Sequence, residues 1–283
     1  MKFSCQKEDI VQAIQIVMKA VSPKPQTPIL SGIYMKAESN QLTLQATDYE
    51  MGIICNIEAQ VKTPGEMVLS GRYAQEIIRR LPGINVDFEY SNQEKMVYIT
   101  SNRSKFSFLS MEATDYPTIT RIEGRSSFQI SDVILRDLIQ NTAFSCAHEE
   151  SRPIFTGCLL ELKEDSILMA ATDTHRLAVK SDTLDELQGE QKLIIPSKLL
   201  NELQKILQSD MPRTVHITCS PTQISFEVDN VYISSRLIEG QFPDYHRVIP
   251  LEFKTSITLK TDEIKGIIDR IALISRTNDY NVI

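Results

Sequence analysis

Only ten glycines occur in 283 residues, which leaves little room for a glycine-rich loop that cradles phosphate. Histidine is scarcer still. His148, His175, His216 and His246 lie far apart, none with a partner at ligand spacing, so no clustered metal site is expected. The five cysteines (Cys5, Cys55, Cys146, Cys158, Cys219) contain no CxxC pair, and an odd number at irregular spacing speaks against a disulfide framework and structural zinc. Cys55, Cys158 and Cys219 stand in strand-like runs, where a free thiol is ordinarily a small core residue. No apolar run approaches the length of a bilayer, and no apolar segment follows Met1-Lys2-Phe3-Ser4. Neither a membrane span nor a signal peptide is therefore expected, and the default compartment is the cytoplasm. Net positive charge is also lacking: the formal charge is −7, so any grip on nucleic acid has to come from a locally basic face.

What is present is an ordinary globular composition, 42% hydrophobic and 24% charged, in a chain long for one core and comfortable for two domains. The stretch Ala171-Thr172-Asp173-Thr174-His175-Arg176-Leu177-Ala178 draws attention because it sets an acid, an imidazole and a guanidinium close together between strand-like runs. Part of it occurs earlier, as Ala46-Thr47-Asp48 followed by Tyr49-Glu50-Met51-Gly52, at a spacing of 125 residues. The same shift lays Phe3-Ser4 on Phe128-Gln129, Ile14 on Ile139 and Pro28-Ile29-Leu30 on Pro153-Ile154-Phe155. At 126, Asp115-Tyr116-Pro117 falls on Gln241-Phe242-Pro243. Anchors this far apart holding one offset define two copies of one domain, at residues 1–121 and 126–250. A third copy opens at residues 252–283, where Ser256-Ile257-Thr258-Leu259 and the periodic Ile264, Ile267, Ile268, Ile271 and Leu273 repeat the strand and helix of Ser127–Ala143. The expectation is a third domain that stops about a quarter of the way through.

Within the first copy, Ile10, Ala13, Ile14 and Val17 predict a helix over 8–20, ended by Pro23-Lys24-Pro25. Strands are predicted near 29–37, 41–46 and 52–61, the last alternating in Ile53, Cys55, Ile57 and Ala59. The order then recurs, with a strand at 66–69, a helix at 72–81 and strands near 85–90, 96–101 and 105–111. Each domain thus reads as two βαβββ halves, and the second copy follows with helices near 131–144 and 196–208. The fold class is α+β, with short strands in sheets wrapped round a helix pair.

A hydrolase site is one reading of Asp173-Thr174-His175-Arg176, with His175 as general base, Asp173 orienting it and Arg176 holding an anion. The first copy keeps Thr47-Asp48 but has Glu50 and Met51 in place of His175 and Arg176. A shared Thr-Asp reads more simply as a turn, its carboxylate satisfying nearby backbone donors. Basic residues form the other candidate group. Arg72, Arg79 and Arg80 lie on one predicted helix, Lys198 and Lys205 on its counterpart, and Lys24 and Arg152 on loops. They read either as a solvated surface or as a common face that attracts phosphates without reading bases.

The doubled Ala-Thr-Asp, Pro28-Ile29-Leu30, Thr174-His175-Arg176-Leu177-Ala178 and Phe242-Pro243-Asp244-Tyr245-His246-Arg247-Val248-Ile249-Pro250 resemble the bacterial DNA polymerase III beta subunit, the sliding clamp family. The resemblance runs from Met1 to Ile283 and includes the repeat length. It implies three similar domains per subunit and a head-to-tail homodimer closing a ring, with helices lining the hole and sheets outside. Such a ring encircles duplex DNA and serves as a processivity factor, not an enzyme, with no cofactor. Its partners would be duplex DNA held without regard to sequence, the replicative polymerase, the clamp loader and other proteins carrying a clamp-binding motif. By motif, the peptide-binding pocket would comprise Phe155, Thr172, Thr174, His175, Arg176, Leu177, Pro243, Arg247 and Val248. Many members carry glycine where Thr174 stands, and a side chain there narrows the pocket. DNA-facing positions would be Lys24, Arg80, His148, Arg152 and Lys198. At the dimer seam Arg103, Lys105 and Phe106 would meet Leu273 and Ile274 of the neighbour. The alternatives are the hydrolase using Asp173 and His175, and a monomeric interaction module.

Overall fold

Ile10, Ala13, Ile14 and Val17 form one stripe of a helix and are all buried to 1% exposure or less, as are Leu135, Leu138 and Ile139 on its counterpart. Around these stripes the chain forms, in order, β1 (Lys2–Gln6), α1 (Lys7–Val17), β2 (Gly32–Glu38), β3 (Gln41–Thr47), β4 (Met51–Glu58), β5 (Gln60–Thr63), β6 (Gly65–Ser70), α2 (Gly71–Ile78), β7 (Asn85–Ser91), β8 (Met96–Ser101) and β9 (Ser104–Leu109). A second series repeats it: β10 (Ser126–Ser131), α3 (Asp132–Thr142), β11 (Gly157–Lys163), β12 (Ser166–Thr172), β13 (Leu177–Thr183), β14 (Gln191–Pro196), α4 (Ser197–Ile206), β15 (Thr214–Cys219), β16 (Gln223–Val228) and β17 (Val231–Arg236). Helix α5 (Thr261–Asn278) follows. The computed structural model describes residues 1–22, 24–25, 27–124, 126–149, 151–163, 165–184 and 190–278. Pro23, assigned a share in ending the first helix, and the side chain of Ile274 lie outside the described residues.

The two halves of each repeat interlock. β1 pairs with β7 and β2 with β6, and likewise β10 with β15 and β11 with β14, so each half completes the other's sheet. Helices α1 and α2 pack together, as do α3 and α4. An aromatic residue closes each repeat: Tyr116, whose hydroxyl donates to the carbonyls of Gly32 and Gln45, and its counterpart Phe242, both buried.

The predicted strand over 52–61 is two strands. At Ala59 the N–H turns to the Asn40 carbonyl, and the chain leaves the sheet of β4 to pair as β5 with β1. Helix α1 also stops short of the predicted end, its last turn tightening into a 3₁₀ turn at Met18–Ala20. Residues 256–260 form no strand, and Ile257 and Leu259 are exposed. Their counterpart β10 is held by β15 from the second half of its repeat, and a strand exists only against such a partner.

The sheets join the repeats. Strand β17 pairs with β4, from Val231 opposite Cys55 to Ser235 opposite Met51, making one sheet ordered β10-β15-β16-β17-β4-β3-β2-β6. Around this junction Arg121 grips Glu227 with both contacts at 2.8 Å and lies 4.8 Å over the Tyr232 ring, and Asn230 donates to the Asn56 carbonyl at 2.7 Å. Lys19 reaches Glu202 at 2.9 Å. Residues 1–242 are in consequence one compact body. Residues 243–283 form a second, with the apolar stripe Ile267, Ile268, Ile271 of α5 exposed. No helix among the described residues is long and apolar enough to cross a membrane.

Candidate functional site

The turn between β12 and β13 is built by its own sequence. Asp173 accepts hydrogen bonds from the backbone N–H groups of His175 and Arg176, both at 3.0 Å. Thr172 accepts from the N–H of Thr174 and donates to the Arg176 carbonyl. The turn between β3 and β4 has the same wiring: Asp48 accepts from Glu50 and Met51, and Thr47 accepts from Tyr49 and donates to the Met51 carbonyl. Even the strain recurs, with Tyr49 at φ 75° and Thr174 at φ 79°, in the left-handed region that favours glycine. The Thr-Asp motif is a structural turn in both repeats. Replacing Thr174 by glycine releases strain of about 1–3 kcal/mol, offset by glycine's chain entropy of about 0.5–1 kcal/mol. Thr174→Gly is thus expected to raise Tm by about 2–4 °C in a thermal melt, and no rise would contradict this account.

Asp173 is occupied by the turn, not by an imidazole. The His175 N–H first, and then the N–H and guanidinium of Arg176, hold its carboxyl below the usual carboxylate range. Among the described residues no hydrogen bond joins that carboxylate to the His175 ring, which is exposed, so the arrangement lacks an oriented general base.

Arg176 is the most constrained side chain of the turn. Its Nε donates to Asp173 at 3.0 Å, its Nη2 donates to the Phe144 carbonyl at 2.7 Å, and the guanidinium lies 5.8 Å from the centre of the Phe144 ring. Phe144 was not anticipated. It stands off the buried stripe of α3 in the 3₁₀ turn Ala143–Ser145, is 58% exposed, and occupies the position of Lys19 in the first repeat. An aromatic against a lysine in otherwise matching repeats is the signal that would have found it. Leu177 is half-buried beside this pair, and half-buried Phe155, whose carbonyl accepts from Ala147, precedes β11 at the same end of the sheet. Phe144, Phe155 and Leu177 thus bring apolar side chains to this end of the sheet, where the Arg176 cation is held in place.

Pro243, Arg247 and Val248 belong to the second body. There Asp244 accepts from the N–H of His246 and from Arg247 Nε at 3.0 Å, the same Asp-x-x-Arg device as in the turn, and Val248 is 68% exposed. Of the basic positions, Lys24, His148 and Arg152 are exposed without ion-pair partners among the described residues. Arg80 shares the Glu76 carboxylate with Arg72, leaving that face of α2 net positive. Lys198 is bound to Asp48, tying α4 to the first-repeat turn. Lys105 and Phe106 lie on edge strand β9, preceded by Arg103, with Phe106 stacked on Phe108 and Phe108 on Tyr73; Leu273 is exposed on α5.

A duplicated α+β domain joined edge to edge through its sheets, with helices paired on the sheets, is the architecture of a DNA sliding clamp. Family models described as the DNA polymerase III beta subunit, N-terminal domain and central domain, match residues 1–120 and 129–244. The chain is 35% identical over 292 residues to the beta sliding clamp of Bacillus subtilis, covering all of this chain and 77% of that protein. It is 32% identical over 291 residues to that of Staphylococcus aureus, with the same coverage. Its fold superposes on the crystal structure of the Bacillus subtilis DNA polymerase sliding clamp with a TM-score of 0.93 at 34% identity, over 98% of this chain and 75% of that one. The beta subunit from DNA polymerase of Streptococcus pyogenes gives 0.91 at 28% identity, again over 98% and 75%. The chain belongs to the DNA polymerase III beta subunit family, the beta sliding clamps. Its function is that of a processivity factor for DNA replication, and it is not an enzyme.

Proposed function

We propose that the chain works as a segment of a head-to-tail ring round duplex DNA in the bacterial cytoplasm, its three domains falling at residues 1–121, 126–250 and from 252 onward. The observation that carries this reading is the β4–β17 junction. Each partner has a repeat-related strand whose edge is open: β9 corresponds to β17, and β13 to β4. Phe106, 40% exposed, stands where Ile233 is buried to 1%, and Val179, 39% exposed, stands where Ile54 is buried to 7%. An open apolar edge is a pairing surface, and proteins rarely leave one bare. The β9 edge, with Arg103, Lys105 and Phe106, is completed by a neighbour whose α5 contributes Leu273 and Ile274.

Partner proteins dock by a short peptide in a pocket formed by Phe155, Thr172, Thr174, His175, Arg176 and Leu177 with Pro243, Arg247 and Val248. The apolar members take hydrophobic anchors, while His175 and the arginines orient polar groups. Lys24, Arg80, His148, Arg152 and Lys198 face the phosphates. Asp48 competes for Lys198, so Lys24 and Arg152 carry most of that contact. Contacts this few and this exposed suit sliding, because topology and not affinity retains the DNA.

The decisive experiment loads the protein onto circular nicked duplex with its clamp loader and then linearises the DNA. Release on linearisation is expected, and equal retention on circle and line would overturn encirclement. Lys24→Ala is expected to weaken loading at low salt, with the deficit shrinking as salt rises and the logarithmic salt slope reduced by about 0.9. A deficit independent of salt would show that Lys24 does not meet phosphate.

A further inference from the structure

Cys146 and Cys158 meet in the core of the second repeat with their Sγ atoms 3.5 Å apart, both thiols free and no more than 2% exposed. A shift of 125 residues places Val21 and Ile33 at these positions in the first repeat, both packed in the apolar core. One repeat fills this contact with hydrocarbon; the other sets sulfur on both sides of it. A disulfide needs an S–S distance of about 2.05 Å, so a closure of about 1.5 Å joins them.

We propose that Cys146 and Cys158 are a disulfide-forming pair, oxidised by hydrogen peroxide, whose bond displaces the support of Arg176. The Cys146 thiolate attacks one peroxide oxygen and breaks the O–O bond; it becomes a sulfenic acid, and the other oxygen leaves as hydroxide and takes a proton to form water. The Cys158 sulfur then attacks the sulfenic sulfur, and its proton departs with the sulfenic hydroxyl as a second water. Two thiols are oxidised to one disulfide while one peroxide is reduced to two waters.

The surroundings favour Cys146 as the attacking sulfur. The Cys158 thiol, then the Ser197 side chain and the Arg176 charge, draw it below the usual thiol range against its burial, and the same contact together with burial pushes Cys158 up. The other three thiols have no such neighbour, and burial pushes Cys5, Cys55 and Cys219 up to about 12. The link to the turn is short. Cys146 follows Phe144, whose carbonyl holds Arg176, by two residues, and adjacent Ala147 donates to the Phe155 carbonyl at 2.8 Å. A pull of Cys146 toward β11 therefore moves both, an effect that rests on the peptide pocket proposed above.

The test treats the folded protein with hydrogen peroxide, quenches the peroxide, unfolds the protein in denaturant to alkylate the remaining thiols, and maps the peptides by mass. A single Cys146–Cys158 cross-link, lighter by two hydrogens, is expected, with Cys5, Cys55 and Cys219 fully alkylated. Cys146→Val and Cys158→Ile, which install the first repeat's residues, are expected to abolish it without loss of fold. A lone sulfenic acid at Cys146, or oxidation of the other cysteines at the same rate, overturns the pair. Binding of a peptide from a clamp-binding protein is read separately, and oxidation is expected to weaken it about tenfold, reversibly with a dithiol reductant. Equal binding by both forms overturns the effect on Arg176. Failure of the reduced protein to bind refutes the pocket instead, and the cross-link map still decides the thiol pair.

Discussion

Replacing Arg176 and Leu177 together by alanine is expected to abolish binding of a clamp-binding peptide while leaving the fold intact. The magnitude follows from how the two residues are held. Arg176 has three restraints, from Asp173, the Phe144 carbonyl and the Phe144 ring, so little side-chain freedom remains to be lost when a peptide arrives. Leu177 supplies half-buried apolar surface at the start of β13. Loss of two such anchors is worth about 3 kcal/mol, roughly a hundredfold in Kd. The fold tolerates the change because Asp173 is satisfied chiefly by the backbone N–H groups at 175 and 176, which alanine retains. An exposed ion pair adds less than about 1 kcal/mol to stability. Fluorescence anisotropy with a labelled peptide, alongside a thermal melt, checks both halves. Undiminished binding at an unchanged Tm would sink the pocket assignment.

Asp132→Ala should unfold more than it removes. Asp132 is the first residue of α3, 2% exposed, and accepts from the N–H of Arg213 at 2.9 Å and from its Nε at 3.1 Å. Its own N–H donates back to the Arg213 carbonyl. This exchange locks the start of α3 to the loop entering β15, and it leaves Arg213 with Asp229 and the Ile206 carbonyl as further acceptors. Breaking a buried pair costs about 3–5 kcal/mol, and the partial exposure of Arg213 places the effect near the lower end, about 3 kcal/mol. For a body of this size that is a fall in Tm of roughly 6–12 °C. Asp132→Asn keeps the acceptor toward the N–H and is expected to lose less than half as much. Equal losses would mean that the charge carries the whole effect and the retained acceptor contributes nothing. The first repeat solves the same joint with inverted chemistry, since Lys7 stands at the matching position and donates to the Leu81 carbonyl.

The repeat offset made much of this architecture legible. Among the described residues, the elements of the first copy from the Ile10–Val17 stripe to the strands around Phe88 and Ile99, β5 apart, have counterparts in the second at nearly constant spacing. The Thr-Asp turn was legible for the same reason, because a residue pair shared by two otherwise divergent copies serves what the copies share. Pairing across the repeats was not. Strand β4 carries alternating apolar residues that announce one buried face, but Ile54 on the other face is buried too, against a strand 170-odd positions away whose register no local pattern encodes. The division of 52–61 into β4 and β5 escaped notice because alternation continues through Ala59 while the partner strand changes. The motif points to Arg176, but its hold on Phe144 depends on two loops meeting in space. The pairing of Lys198, expected to face DNA, with Asp48 is hidden for the complementary reason, since that carboxylate lies in the other repeat.

The β4–β17 junction joins unlike surfaces, so each added repeat is turned by a fixed angle, and an assembly closes only if those angles sum to a full circle. In the proposed ring of six repeats that is about 60° each, and an error of a few degrees at every junction multiplies around the circumference. The clasps across the junction, Arg121 on Glu227 and Lys19 on Glu202, thereby act as angular stops as much as adhesive. Junctions backed by a continuous chain hold their angle whether or not the ring is shut. In the ring proposed above, the two junctions between subunits would lack that tether, and strain from imperfect closure would collect there.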